Sequence, residues 1–488
     1  MMSKFRSLVP WNAGPKPARP GSSIGERDGL PPPEPARTDP AVFLRAALFL
    51  TVLVVFNLGL AWVLEFYFGH AINTDLSFVG NDPSWIPKDT AFGPALGVHY
   101  FGDFEQYMGY ARTHLPLYGK SIVYPPAYGP FAVVLVKVLT FLAGWPGAVF
   151  LFIGLSLVVI VTGFLRLMGA SLASALLTLL LLCSGGMIIA LDRGNLQLLV
   201  AGAAIWFCIG VVRNRPATVV TALVVAVAIK LYFALLVLVL LRARRWKEAV
   251  AAAVASVVVY LLSFLLISGA DVPHSVSTFV RTEGLFASSP RSEFVLGCVS
   301  AASAVYKSLF LAWGPTHFAH FLDTSPSALM QVPGLVMAVA CLAVIWFGRR
   351  PIELGLVGAL AAAQLVPAST YPYLQINLAI ELCLVLRVLA QRSPKSGDEV
   401  SDPLGGDPPV RRWILITCAG LLAIGCAPWM GMFSGADGAT TPVGAYIGPI
   451  VGILTVFLLL GGLLAARFRG RNTTAAPAPV PPVNSGCR

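Results

Sequence analysis

The sequence predicts an all-α, polytopic membrane protein of about twelve transmembrane helices, with further helices in the loops on one side. Three observations carry this expectation. Hydrophobic residues make up 57% of the chain and charged residues 12%, about half the charge of an ordinary soluble domain. The mean hydropathy is +0.77. The apolar runs suit helices of roughly 20 residues and lack the alternating, roughly ten-residue pattern of an outer-membrane barrel.

Residues 1–41, rich in Pro, Gly and charge, lack the short apolar core of a cleavable signal and read as a disordered cytoplasmic tail. The first span, 42–66, follows this basic segment, so the positive-inside bias sets residue 41 in the cytoplasm and residue 67 outside. A membrane core is expected over 42–390, with outer loops at 67–125 and 268–327. Apolar segments follow at 127–143, 146–167, 172–191, 196–212, 217–229 and 231–241.

Cations decide the crossing parity. If every segment crosses and Lys230 lies mid-span, Arg166, Arg213 and Arg215 fall outside, against the bias. If 127–143 is an embedded or in-plane helix and the chain reverses at Lys230, these arginines join Arg242, Arg244, Arg245 and Lys247 inside. The second count is the better one, and it leaves Asp192, Arg193, Asn195 and Lys230 on the outer side with Asp103. It requires two short helices around Lys230, which at about 1.5 Å per residue reach part-way across a ~30 Å core and are tolerated where they line a cavity.

Residues 250–267 then cross outward, and an amphipathic segment at 294–311 is embedded in the outer region. Spans at 329–347, 352–366 and 373–389 lead to a cytoplasmic linker, 391–412. A C-terminal helix pair occupies 413–466, and 467–488 is a second disordered cytoplasmic tail, so both termini lie on the cytoplasmic side of a cell membrane. All six histidines then fall on the outer side. The net charge of +11 flanks apolar spans and reports orientation; no nucleic-acid motif accompanies it. Seven of the eight cysteines lie in or beside apolar runs without metal or redox spacing, as small core residues do.

The stretch 100–130 is the least lipid-like long piece between the hydrophobic spans and holds six of the thirteen tyrosines. Asp103, Phe104, Glu105 and Gln106 look like a first helical turn, with Asp103 as its cap. Continuing the helix puts Asp103, Tyr107, Tyr110 and His114 on one face. A carboxylate backed by aromatic hydroxyls, then a rigid turn at Tyr124, Pro125 and Pro126, suits a sugar site. Asp103 reads equally as that helix cap and as a general base taking a proton from an acceptor hydroxyl; Glu105 is the runner-up. Lys230 lies in an apolar run, where an ammonium commonly marks a substrate path, the alternative being a side chain snorkelling to the interface. Asp192, Arg193, Gly194 and Asn195 form a glycine turn presenting an acid, a base and an amide, the bland reading being a self-paired Asp192–Arg193. His317, His320 and Asp323 have helical spacing but fit an interfacial surface better than a metal site. Residues 369–373, with Tyr371, can hydrogen-bond a sugar or form an aromatic belt.

Asp103 after a first span, Leu117-Tyr118-Gly119, Tyr124-Pro125-Pro126, Gly194-Asn195 opening a span, the intramembrane Lys230 and Arg244-Arg245-Trp246 together resemble glycosyltransferase family 87 of the GT-C superfamily. The order covers 42–389. Three positions depart from that pattern: no Gln separates Gly194 from Asn195, Leu231 follows the lysine where Pro is common, and Tyr371-Pro372-Tyr373 replaces a His-Tyr pair. The resemblance implies a polyprenyl-phosphate sugar donor, commonly a mannosyl phosphate lipid, and an inverting transfer on the outer side to a glycan or glycolipid acceptor of the cell envelope. It implies neither a nucleotide nor a required metal, and it carries the loop acid onto Asp103. A phosphate is already a good leaving group, so Lys230 and Arg193 would stabilise its charge while Asp103 activates the acceptor. Asn195, Tyr107, His114, Tyr124 and Tyr371 complete the expected substrate-binding set. The rival reading is a transporter or flippase for a lipid-linked sugar, which predicts related halves; no convincing repeat is found.

Overall fold

The computed structural model describes residues 38–68, 101, 103–104, 107–108, 128–268, 271–288, 299–325, 327–348, 351–367, 372–391, 408–429, 432–434 and 440–472. Its helices are α1 (Pro40–Phe68), α2 (Pro130–Met168), α3 (Leu172–Leu182), α4 (Gly185–Asp192), α5 (Gln197–Val212) and α6 (Pro216–Ile229). A 3-10 turn (Leu231–Leu236), α7 (Val237–Arg242), α8 (Trp246–Ser268), α9 (Val272–Ser288), α10 (Ala301–Thr324) and α11 (Ser327–Phe347) follow. The chain continues with α12 (Ile352–Leu365), a second 3-10 turn (Pro372–Gln375), α13 (Ile376–Ala390), α14 (Pro408–Cys426) and α15 (Val443–Asn472). The all-α expectation is met apart from a small antiparallel ribbon of β1 (Met432–Ser434) and β2 (Thr440–Pro442), with Phe433 opposite Thr441.

Helices α12 and α13 form the centre: every residue from Glu353 to Leu365 is buried, as are thirteen of the fifteen in α13. A helix apolar on all sides is stable only when covered on all sides. Around them lie α5, α11, α14 and α15, with α1 and α2 against α13. The outermost helices show the reverse pattern. Along α8, Val250, Val254, Val257, Leu261, Leu265 and Leu266 are each at least half exposed, an apolar surface far too continuous for water and suited to lipid tails.

Among the described residues, four helical segments are long and apolar enough to cross a membrane: Pro40–Asn57, Gly147–Met168, Trp246–Ile267 and Tyr446–Arg467. A fifth arises if the bent pair α3–α4 counts as one span. The expected number of about twelve is therefore not reached by length, because the remaining apolar helices have 10–17 residues and at about 1.5 Å per residue fall short of a ~30 Å core. The expected single span at 172–191 is broken by a 61° bend. Its cause is non-local: Gly186 is pressed against the second 3-10 turn, where a Cβ would meet the Ile376 amide nitrogen at 2.6 Å. In α2, Gly144 at φ +63 divides the helix where the sequence separates 127–143 from 146–167. The linker expected at 391–412 is shortened by α14, which begins at Pro408, and the segment 268–327, expected outside, holds α9 and α10 among its described residues.

Candidate functional site

Lys230 interrupts the run from α6 to α7 in extended conformation, φ −135 and ψ 111. Its amide still closes the last turn of α6 on Ala226, and its carbonyl accepts from Phe233 to open the 3-10 turn. Beside it, the start of α2 is tied down by the Gly129 amide donating to the Ile229 carbonyl at 2.9 Å. Gly129 has no room for a side chain, since a Cβ would meet the Ala228 carbonyl and stand 2.7 Å from the Tyr260 hydroxyl. This close approach sets Tyr128 against Lys230: the ammonium lies 4.3 Å from the Tyr128 ring centroid and 5.4 Å from that of Tyr232. Such cation–π contacts stabilise the ammonium of a lysine that is 6% exposed.

Asp103 arrives from a helical turn whose apolar residues Phe104, Tyr107 and Met108 are all buried. Phe104 packs on Phe152 and Phe101 on Phe150, both from α2. The Asp103 amide donates to the Arg193 carbonyl at 3.1 Å, so the turn is docked through backbone as well as side chains. Between α4 and α5, Gly194 adopts φ +57, the left-handed conformation open to glycine at little cost. A Cβ there would stand 3.1 Å from the Phe104 Cβ. The turn thus brings Arg193 and Asn195 to either side of one carboxylate. Arg193 donates from Nε at 3.1 Å and from Nη2 at 2.8 Å to Oδ1, and the Asn195 amide donates to Oδ2 at 2.5 Å. Asn195 Oδ1 accepts from the Tyr128 hydroxyl and from the Gln197 amide.

The result is a continuous line, Arg193–Asp103–Asn195–Tyr128–Lys230, with Tyr107 edge-on to Tyr128 at 5.1 Å between centroids. Five sequence-predicted residues, Asp103, Tyr107, Arg193, Asn195 and Lys230, meet in one place. The Asp103 carboxylate is engaged by Arg193 and Asn195; the amides at 105 and 106, on which the helix-cap reading rests, lie outside the described residues. Arg193 forms an ion pair with Asp103; the Asp192 side chain, on which the self-paired reading rests, lies outside the described residues. So do Glu105, His114, Tyr124 and Tyr371. His317 and His320 are exposed on α10, and among the described residues no group of three metal-ligating side chains exists.

Sequence reasoning missed Tyr128 and Gln197. Tyr128 precedes Gly129-Pro130, a backbone point where proline starts a helix and glycine permits close approach, and that dipeptide was the available signal. Chemically, among the described residues one carboxylate stands beside two cations, all three side chains largely shielded from water. Among the described residues Asp103 retains an acceptor position on Oδ2, since a carboxylate offers about four lone-pair sites and three are taken. A partly desolvated hydroxyl can donate there, and an anion can approach the Lys230 end.

The opposite end of α5 is also charged. Arg213 donates to the Arg166 carbonyl, and Arg387 binds the Leu167 carbonyl and Glu353, which also accepts from Gln391. Three of the cations used to orient the chain, Arg166, Arg213 and Arg215, gather at this end. Burial, then the neighbouring Arg387, Arg215 and Arg166, lower the pKa of Arg213 from its ordinary value.

Residues 127–370 match the model of glycosyltransferase family 87, half of the chain. Tyr128, Arg193, Asn195 and Lys230 fall inside the matched segment, and Asp103 lies before it. No curated protein and no solved structure matches the chain.

Proposed function

The chain belongs to glycosyltransferase family 87, and on that premise we propose that this membrane glycosyltransferase moves a hexose, mannose in first choice, from a polyprenyl-phosphate donor to an acceptor hydroxyl on the extracytoplasmic side, with inversion. The supporting observation is the joining of Asp103, Arg193, Asn195, Tyr128 and Lys230, drawn from four separate stretches of chain, into one hydrogen-bonded and cation–π line. Lys230, held over two tyrosine rings, meets the donor phosphate. Arg193 adds a second positive charge and fixes Asp103. The GT-C architecture, a cell-envelope glycan or glycolipid acceptor and cytoplasmic termini belong to the same proposal.

In the reaction, the acceptor hydroxyl donates to the remaining position on Asp103 Oδ2. As its oxygen bonds to the anomeric carbon, the proton passes to Asp103 and the carbon–oxygen bond to phosphate breaks. The electron pair leaves on the phosphate, whose charge Lys230 and Arg193 stabilise. No general acid is needed, because a phosphate monoester is a stable leaving group. A prenyl chain can remain in the bilayer throughout, which accounts for a site built at helix ends within an apolar bundle.

The test is incubation of the purified protein in liposomes with labelled polyprenyl-phosphate mannose and candidate acceptors, alongside Asp103→Asn. Transfer by the wild type and its loss by at least about a hundredfold in the correctly inserted variant are expected. Full activity of Asp103→Asn would remove the assigned base, and failure with mannose but transfer from another polyprenyl-phosphate hexose would reassign the sugar.

A further inference from the structure

Away from the site, α2, α5 and α6 enclose an apolar groove of about 460 Å³, lined by Val159, Leu199, Ala203, Trp206, Thr221 and Val225 among others. That volume lies within the roughly 300–1,000 Å³ typical of small-molecule sites. The groove exists because small residues stand where large ones would fill it. Gly202 lets α5 come so close to α2 that a Cβ would touch Val159 Cγ1 at 2.8 Å, and Ala203, Ala217 and Ala222 leave the α5–α6 seam open. Trp206 forms a fixed wall, its Nε1 donating to the Val159 carbonyl at 3.1 Å.

The groove has two unlike ends. Helices α5 and α6 are consecutive and packed together, so Leu199 and Val225 mark the end towards Asn195 and Lys230, while Trp206, Ala217 and Thr218 mark the other. At that second end Arg166 stacks over the Trp206 ring at 5.0 Å, and Arg213, bonded to the Arg166 carbonyl, and Arg215 complete an exposed cationic cluster. Among the described residues, none of these three guanidiniums has a carboxylate within ion-pair distance, whereas Arg387 nearby is paired with Glu353. Partial burial, and after it the neighbouring Arg387, Arg215 and Arg166, lower the pKa of Arg213, and a bound anion would offset the repulsion.

We infer that this groove is a site for an anionic phospholipid, one acyl chain lying between α5 and α6 and the phosphate diester held by Arg166, Arg213 and Arg215. Charge complementarity selects a lipid with net negative charge over a zwitterionic one. The sugar donor is a poorer occupant. The sixteen residues of α5 span about 24 Å at about 1.5 Å each, so a phosphate at Arg213 stands far from Lys230.

Native mass spectrometry of the full chain in detergent, with added dioleoylphosphatidylglycerol or dioleoylphosphatidylcholine, tests the assignment. Phosphatidylglycerol is expected to bind about tenfold more tightly than phosphatidylcholine. Arg213→Gln with Arg215→Gln removes that preference, and Thr221→Trp, which fills the groove and keeps the cations, weakens both lipids. Equal binding of the two lipids by the wild type overturns the inference without recourse to any variant. So does unchanged phosphatidylglycerol binding in Thr221→Trp, or its displacement by equimolar polyprenyl phosphate, which would give the groove to a prenyl chain.

Discussion

Asp103 and Arg193, ninety positions apart, are joined through backbone and side chain at once. The amide of the first donates to the carbonyl of the second, while two guanidinium nitrogens converge on one carboxylate oxygen. Both side chains are about 15% exposed, so the pair is desolvated enough for loss of one partner to strand the other. Arg193→Ala is expected to lower stability by about 2–4 kcal/mol. The double variant with Asp103→Ala should recover part of that loss, with a coupling of about 1–3 kcal/mol. Thermal unfolding of the four proteins in one detergent measures the cycle, and additive losses would show that the pair contributes nothing jointly.

Lys230→Met keeps the apolar stem over Tyr128 and Tyr232 and removes the charge. Expected is at least a tenfold rise in the KM for the lipid-linked donor with unfolding little changed, because a buried ammonium costs desolvation that methionine avoids. Steady-state kinetics with varied donor decides; an unchanged KM and kcat would take Lys230 out of the site.

Tyr128 has two functions that one atom separates. Tyr128→Phe deletes the hydroxyl that anchors Asn195 and leaves the ring beneath the ammonium, so it should reduce kcat about three- to tenfold through Asn195 and Asp103 while sparing donor KM. Tyr128→Leu also removes the cation–π contact, worth about 0.5–2 kcal/mol, and should raise donor KM as well. Identical kinetics for the two variants would refute the division.

Gly194→Ala places a methyl group at φ +57 and 3.1 Å from the Phe104 Cβ. A left-handed alanine costs about 1–2 kcal/mol before any clash, and relief by shifting Phe104 would move Asp103. Loss of activity larger than the stability loss is therefore expected, read by assay and unfolding on the same preparation. Wild-type turnover in this variant would mean the turn does not set the carboxylate.

Much of this arrangement is legible in the chain itself. A lysine in an unbroken apolar run is costly in a bilayer wherever it sits, so Lys230 announces itself, and the helix does break at that residue. The cations after α5 and α7 imply an orientation that groups Asp103, Asn195 and Lys230 by side. Tyr128 is not legible in this way. An aromatic residue ahead of a helix is ordinary, and its importance comes from the Gly129 amide meeting the Ile229 carbonyl, a contact a hundred positions away.

Composition and charge placement, which act locally and add along the chain, determined that this protein is a helical membrane protein with a polar loop near its first span. Helix lengths, the bend at 183–184 and the partners of each charged group depend on which surfaces meet. Gly186 yields to the turn at Gln375, and Asp103 finds Arg193 and Asn195 because Gly194 admits Phe104. Those outcomes came from close packing between distant segments, and only the tertiary structure could decide them.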